Sequence, residues 1–382
     1  MSIGNYGIIG EKMKIANVVG ARPNFMKIAP ICRALDKVID SDPSLNMDYL
    51  LVHSGQHYDN NMSKIFFDEL GISSPDVNLE IGAGTHSEQT AGVMIKFEKF
   101  CLETHPDLIL VVGDVNSTLA CSLVGAKLGI KVAHIESGLR SFDRTMPEEI
   151  NRIVTDTLSD YLFTSCSDAA NNLLKEGIPE NKIHFVGNVM IDTLFHSLAR
   201  ARVSSIRKNI GILDEDYALL TLHRPSNVDD PNLFNNIMER LNEISKMIRM
   251  IFVMHPRAKK QLERMPVFER IKESKRFLFI DATGYLDFIN LMSHSKLVIT
   301  DSGGVQEETT VLGIPCLTLR ENTERPITIT EGTNVLIGMD FDRLTKEVKN
   351  ILSGNFKKHI VPELWDGKAS ERIALKLSEL CR

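Results

Sequence analysis

No run of about 18 apolar residues occurs in the sequence, so nothing in it is long enough to cross a bilayer as a helix. Its start, MSIGNYGIIGEKMK, has neither the basic opening nor the apolar stretch of a signal peptide, and residues 1 to 12 read as an extension peripheral to the fold. The six cysteines, Cys32, Cys101, Cys121, Cys166, Cys316 and Cys381, lie far apart without CxxC spacing and mostly among apolar neighbours. That argues against a disulfide framework and for reduced core thiols in a soluble, cytoplasmic protein. The formal charge is -6 and the basic residues are scattered, so the chain lacks the stripe that tracks a phosphate backbone and nucleic acid is not an expected partner.

Cofactor motifs are missing too. No G-x-G-x-x-G follows the first strand of either half and there is no P-loop, which argues against a tightly held nicotinamide and an ATP-splitting site. Without H-E-x-x-H, clustered cysteine pairs or an EF-hand loop, neither a metal nor any other cofactor is expected.

What remains is a globular composition, 43% apolar and 25% charged with 14 prolines, over 382 residues, a length that suits two domains. Short apolar runs alternate with helical stretches, the pattern of βα units around parallel sheets covered on both faces; the fold class is α/β. Strands are expected at 14–21, 48–55, 107–114, 131–137, 161–166 and 183–188, and again at 217–224, 250–256, 276–282, 296–303 and 315–320. The charge-rich stretch around residues 200 to 212 separates the two series, giving Rossmann-like domains at 13–205 and 206–365. Residues 366–382 form a last helix, apolar at Ile373, Leu375, Leu377 and Leu380, expected to pack across the domains.

Polar loops follow the strands: GARPNFMK, HSGQHYD, GDVNST, HIESGLRS, LHRPSN, HPR and TDSGGVQEE. Ligands of open parallel sheets bind beyond the carboxyl ends of the strands, so two such sheets facing a central cleft would surround a nucleotide-linked substrate with these loops. In the first loop Gly20 permits a tight turn, and Arg22 and Lys27 could face an anion, although solvated cations at a helix start explain them equally well. Ser302, Gly303 and Gly304 open a helix whose free N–H groups suit a diphosphate, and Glu308 one turn later could accept from ribose hydroxyls. An ordinary capped turn would also use Ser and Gly there.

Asp114, Glu136, and Glu148 with Glu149 stand at or just beyond neighbouring strand ends. Gathered in one pocket they would raise one another's pKa into a range useful for proton transfer; singly, each reads as a cap or ion-pair partner. His223 and Arg224 end the first strand of the second half, where a histidine can exchange protons and an arginine can bind phosphate. His255 has a similar setting, whereas His134, inside a strand, reads as a hydrogen-bonded core histidine.

In order, GARPNFMKIAP, GDVNSTLA, HIESGLRS, PEEINR, HRPSNVD, TDSGGVQEE and NTERP resemble the non-hydrolysing UDP-N-acetylglucosamine 2-epimerases over nearly the whole chain. Hydrolysing relatives carry a glycine pair before the acid where this chain has HIESG. The resemblance implies a GT-B-type fold, a homodimer, no cofactor, and interconversion of UDP-GlcNAc and UDP-ManNAc through loss and readdition of UDP. It implies Asp114, Glu136 and Glu148 as proton-handling acids and His223 as the group assisting UDP departure or return. It further implies that Arg22, Lys27, Ser302, Gly303 and Gly304 hold the diphosphate, Glu308 the ribose, and Phe288 the uracil, with Arg140 and Arg325 as additional substrate contacts. Gln56 and His57 would lie in an effector region.

Two departures from the family pattern stand out: Asn24 replaces a Glu common in the first motif, and Pro225-Ser226 follows His223-Arg224 where charged residues are common. They leave UDP-GalNAc or a UDP-diacetamido-hexuronate as alternative substrates. A GT-B glycosyltransferase and a non-catalytic sugar-nucleotide sensor are the readings from other classes, and hydrogen exchange at C2 without an acceptor separates them from an epimerase.

Overall fold

The computed structural model describes residues 12–42, 44–55, 67 and 70–381. The chain forms two compact units, one running up to Val189 and resuming at Lys368, the other spanning Met190–Gly367. The division falls inside the first turn of a helix rather than in the charge-rich stretch near residue 205, because that helix belongs with the second unit for all but its first residue.

The first unit contains β1 (Met13–Val19), α1 (Arg22–Ser41), β2 (Met47–His53), β3 (Val77–Asn78), α2 (His86–Thr104), β4 (Leu108–Val112) and α3 (Asn116–Leu128). It continues with β5 (Lys131–Ser137), α4 (Pro147–Leu158), β6 (Tyr161–Thr164), α5 (Ser167–Lys175) and β7 (Ile183–Phe185). All the strands pair in parallel, in the order β3-β2-β1-β4-β5-β6-β7. Alternation along the strands feeds two cores. Ile15 and Val19 face Ile28, Ile31 and Leu35 of α1, while Ala16 and Val18 join Val93 and Phe97 of α2 and Val124 of α3. Burial on both faces is why these strands read as unbroken apolar runs.

Local chemistry sets the helix starts. Thr85 and Glu88 form a capping box at α2, the Thr85 N–H donating to Glu88 Oε2 at 2.9 Å and Glu88 N–H to Thr85 Oγ1 at 3.3 Å.

The second unit follows α6 (Val189–Arg202) with β8 (Tyr217–Thr221), α7 (Pro231–Ser245), β9 (Arg249–Met254), α8 (Pro256–Leu262), α9 (Pro266–Lys272) and β10 (Phe277–Asp281). Then come α10 (Tyr285–Ser293), β11 (Leu297–Thr300), α11 (Gly303–Leu312), β12 (Cys316–Thr318), β13 (Asn334–Leu336) and α12 (Phe341–Leu352). Its parallel sheet has the order β10-β9-β8-β11-β12-β13. Leu220, Phe252 and Ile299 pack on α7 side chains such as Phe234 and Ile237, and Leu219, Ile251 and Val298 serve the opposite face with Leu291 of α10. Asp230 caps α7 through the N–H groups of Asn232 and Leu233, with Pro231 in the first turn.

The two doubly wound parallel sheets are the α/β architecture expected from the sequence. Two edge strands were not expected. β3 and β13 are two and three residues long, too short to show a period, and they extend sheets already recognised.

The last helix, α13 (Ala369–Glu379), lies with the first unit, where Ile373, Ala374 and Leu377 share a core with α1. Leu375, expected on its apolar face, is 57% exposed, because two residues on from Ile373 is about 200° around the helix. No helix among the described residues is long and apolar enough to cross a membrane.

Candidate active site

In an open parallel sheet the loops diverge where neighbouring strands send their chain to opposite sides, and that crevice is where ligands bind. In the first unit the switch lies between β1 and β4. Asn24, in the first turn of α1, stitches the two strand ends together: its Oδ1 accepts from Ala21 N–H at 2.9 Å and its Nδ2 donates to Val112 O at 2.8 Å. An acid at this position could not make the second bond, so the Asn24 departure has a structural use. One turn on, Lys27 is buried and paired with Glu136.

Gly113 directly follows β4 at φ +70, and its N–H donates to Ile135 O at 3.1 Å. A Cβ there would lie 3.1 Å from Lys27 Nζ, 3.2 Å from Asn24 Nδ2 and 3.6 Å from Glu136 Oε2. Glycine is therefore required both for its backbone and for the space it leaves to this cluster. Glu136 itself sits at φ +69, in a register shift between Ile135 and Ser137 on the β6 side. A left-handed backbone at a non-glycine residue costs about 1–3 kcal/mol and persists where the surroundings impose it, as at active sites.

Asp114 follows Gly113. Its carboxylate pairs with Arg152 at 2.6 Å and its carbonyl accepts from Asn151 Nδ2 at 2.8 Å. Arg152 also reaches Glu149 at 2.9 Å, and Glu149 accepts from the N–H groups of Ser141 and Phe142 and from Ser141 Oγ. Glu149 is thus a buried tie for the loop after β5, whereas its neighbour Glu148 is exposed in the first turn of α4. The expected crowd of acids resolves differently here: Asp114, Glu136 and Glu149 each have a cation beside them. The sequence shows the acids but not that Lys27 and Arg152 reach them.

The structure does not bring Arg140 to these acids. Arg140 is buried between Asp156, at 2.7 Å, and Glu176, which its Nε and Nη2 meet at 2.8 and 2.7 Å. The Arg22 side chain, and Gln56 and His57, lie outside the described residues.

In the second unit the switch lies between β8 and β11, where Thr221 pairs with Thr300. That register sets the residues beyond β8 beside Asp301, a fully buried carboxylate not singled out by sequence. His223 N–H and Arg224 N–H donate to it at 3.1 and 3.0 Å, Asn227 Nδ2 at 3.1 Å, and His223 Nδ1 lies 2.8 Å from Oδ1. Burial pushes the Asp301 carboxyl up, but the hydrogen bond and charge of His223 and the two backbone donors outweigh it and hold it below the ordinary range. The His223 side chain remains 39% exposed, with Nδ1 occupied by Asp301 and Nε2 available for chemistry. His255 lies 5.7 Å from His223 between ring centroids; burial and then the His223 charge lower its pKa.

Ser302 precedes α11, and its hydroxyl caps none of the helix N–H groups. Arg325 lies over the first turn, where a Cβ on Gly303 would come within 2.7 Å of its Nη1. Arg325 meets Glu307 at 2.7 Å and Glu324 at 2.6 Å; Arg320 meets Glu324 at 2.7 Å, and Arg224 reaches the same carboxylate at 3.5 Å. Glu324 is held well below the usual carboxylate range, burial opposing and the Arg325 and Arg320 charges prevailing. The guanidinium groups of Arg224, Arg320 and Arg325 gather beside a helix N-terminus, a setting suited to a phosphate group.

Glu308, further along α11, accepts from the Tyr285 hydroxyl at 2.7 Å. Burial, with the Glu307 charge adding and the Tyr285 hydrogen bond opposing, pushes its carboxyl up to about 7. Phe288 is half-buried on α10, one turn from Tyr285. Ser302, Gly303, Gly304, Arg325, Glu308 and Phe288 therefore belong to one unit and, with α10 and α11, to neighbouring elements. The sequence missed Asp301 and Tyr285. The acid that heads DSGG was a visible signal for the first, while nothing local distinguishes Tyr285.

The chain matches a family model described as UDP-N-acetylglucosamine 2-epimerase over residues 39–378. A UDP-N-acetylglucosamine 2-epimerase from Methanocaldococcus jannaschii is 46% identical over 366 residues, covering 94% of this chain and 98% of that protein. A UDP-2,3-diacetamido-2,3-dideoxy-D-glucuronate 2-epimerase from Pseudomonas aeruginosa is 40% identical over 373 residues, covering 96% and 100%. Among solved structures, the Methanocaldococcus jannaschii UDP-GlcNAc 2-epimerase in complex with UDP-GlcNAc and UDP superposes with a TM-score of 0.86 at 45% identity, over 96% of this chain and 100% of that one.

Proposed function

Since the chain belongs to the UDP-N-acetylglucosamine 2-epimerase family, we propose that it interconverts UDP-GlcNAc and UDP-ManNAc by eliminating and readding UDP. C2 of the sugar has no adjacent carbonyl to delocalise a carbanion, so simple deprotonation is ruled out on energetic grounds. Elimination avoids the carbanion. A carboxylate takes the C2 proton, that electron pair forms the C1–C2 double bond, and the C1–O bond breaks to release UDP, leaving a 2-acetamidoglucal. In the reverse sense a UDP oxygen adds to C1 while a proton reaches C2 from the opposite face. The reaction needs acids for two faces and donors for the departing diphosphate.

Asp114, Glu136 and Glu148 are the acids in this reading, and His223 assists departure and return of UDP. Arg22, Lys27, Ser302, Gly303 and Gly304 hold the diphosphate, Arg325 adds charge beside α11, Glu308 holds the ribose and Phe288 flanks the uracil. Arg140 keeps its ion pairs with Asp156 and Glu176 and is not assigned to substrate. The observation that carries the reading is His223 fixed by Asp301 at the same switch point that presents the uncapped start of α11. Such a histidine presents one ring nitrogen to a leaving phosphate oxygen in a fixed direction.

Purified protein given either UDP-GlcNAc or UDP-ManNAc should produce the same mixture of the two, resolved by chromatography. Inertness to both, with turnover of a UDP-diacetamido-hexuronate, would move the assignment to the substrate class of the Pseudomonas aeruginosa relative.

The homodimer belongs to this reading too. Ile95 and Leu102, seven residues apart on one face of α2, are 70% and 58% exposed and suit an apolar interface. A cytoplasmic location, where UDP-sugars would feed polysaccharide synthesis, fits the six free cysteines.

A further inference from the structure

Moving a proton at each face of C2 requires two acids at fixed places, and a buried bridge away from the reacting groups ties down the backbone beside both. His134, on β5, is fully buried. Its Nδ1 lies 2.6 Å from Asp156 Oδ1 and its Nε2 2.8 Å from Gly113 O. One ring nitrogen thus faces a carboxylate and the other a backbone carbonyl. Asp156, on α4, is also buried, and its second oxygen accepts from Gly138 N–H at 3.0 Å and pairs with Arg140 at 2.7 Å. Arg140 is held in turn by Glu176 and by Leu139 O at 2.8 Å.

The bridge therefore reaches two particular peptides. Gly113 immediately precedes Asp114, and Gly138 follows Glu136 by two residues. Both glycines have positive φ, and a Cβ on Gly138 would meet Ala169 O at 2.3 Å, so these turns sit in tight packing. Without His134, the Gly113 peptide would keep its N–H bond to Ile135 O and lose the one at its carbonyl.

We propose that His134 and Asp156 are positioning residues, a single buried bridge that fixes Asp114 and Glu136 relative to each other and so sets how protons divide between the two faces of C2. The proposal rests on the reading of those two residues as the proton-handling acids. Displacement of a catalytic group by about 1 Å can cost on the order of 100-fold in rate, so a bridge of this kind acts on turnover without touching substrate.

The test uses the full-length chain with His134→Gln and with Asp156→Asn. Turnover, UDP affinity, melting temperature and, in deuterated water, the ratio of C2 deuterium in recovered substrate to epimer formed are measured. Turnover is expected to fall by about 30-fold or more, UDP affinity to stay within about twofold, and the ratio to shift by about threefold or more. A loss of stability alone lowers exchange and epimerisation together and leaves their ratio at the native value. An unchanged ratio, or native turnover, would overturn the proposal. Should His134→Gln fail to fold, Asp156→Asn, which keeps the shape of the side chain, carries the same measurement. Asp114→Asn and Glu136→Gln are run alongside: native turnover in both would instead remove the acid assignment on which the bridge depends.

Discussion

Lys27 and Glu136 form a buried ion pair against Gly113, although the sequence suggests separate tasks for them, one at the diphosphate and one at C2. Lys27→Ala should therefore do two things. UDP affinity should weaken by about tenfold or more if Lys27 meets the diphosphate, and stability should fall by about 3 kcal/mol or more because Glu136 would lose the cation beside it. Calorimetric titration with UDP and urea melts separate the two effects; unaltered UDP affinity would remove Lys27 from the diphosphate site.

Asp114→Asn and Glu136→Gln should each lower turnover by on the order of 100-fold or more while leaving UDP affinity within about twofold. Steady-state kinetics and titration of the same preparations check this. Native turnover in both would exclude the two acids from proton transfer.

Asp301→Asn probes the anchor of His223. A carboxyl held below its ordinary range contributes stability that is complete above the unfolded pKa of about 3.9 and is lost as pH falls through the folded value. The stability gap between native protein and variant should thus be largest near pH 7 and narrow towards pH 3, and turnover at pH 7 should drop by about 100-fold as the imidazole loses its fixed partner. Urea melts across that range test the sign; a gap that stays constant with pH would contradict it.

Much of this was legible because parallel strands covered on both faces are apolar throughout, and the polar loops after them stand out by contrast. Gly20, Asp114, Glu136, His223 and Ser302 were singled out that way. The partners were not. Arg152 reaches Asp114 from α4, and Asp301 meets His223 only because β8 and β11 are neighbours, a matter of strand order that local sequence does not state. The partners of Arg140 were hidden for the same reason, since its motif position is visible while Asp156 and Glu176, which hold it, come from α4 and the end of α5.

If Glu308 holds the ribose, its carboxyl, raised to about 7, should make UDP binding sensitive to pH. Its carboxyl is raised above the unfolded value of about 4.3, so the associated stability is complete below that value and is lost as pH rises through about 7. The ionised form is the better acceptor for ribose hydroxyls, and UDP affinity should rise between about pH 6 and 8 more steeply in the native protein than in Glu308→Gln. Comparing the two proteins cancels the titration of UDP itself. Parallel affinity curves would exclude Glu308 from the ribose site.

Proton NMR of the enzyme with UDP-GlcNAc in deuterated water addresses the mechanism most directly. Elimination and readdition predict loss of the C2 proton signal and formation of UDP-ManNAc carrying deuterium at C2. UDP-ManNAc that retains its C2 proton would contradict C2–H cleavage, and release of free ManNAc with UDP would place the chain with the hydrolysing enzymes instead.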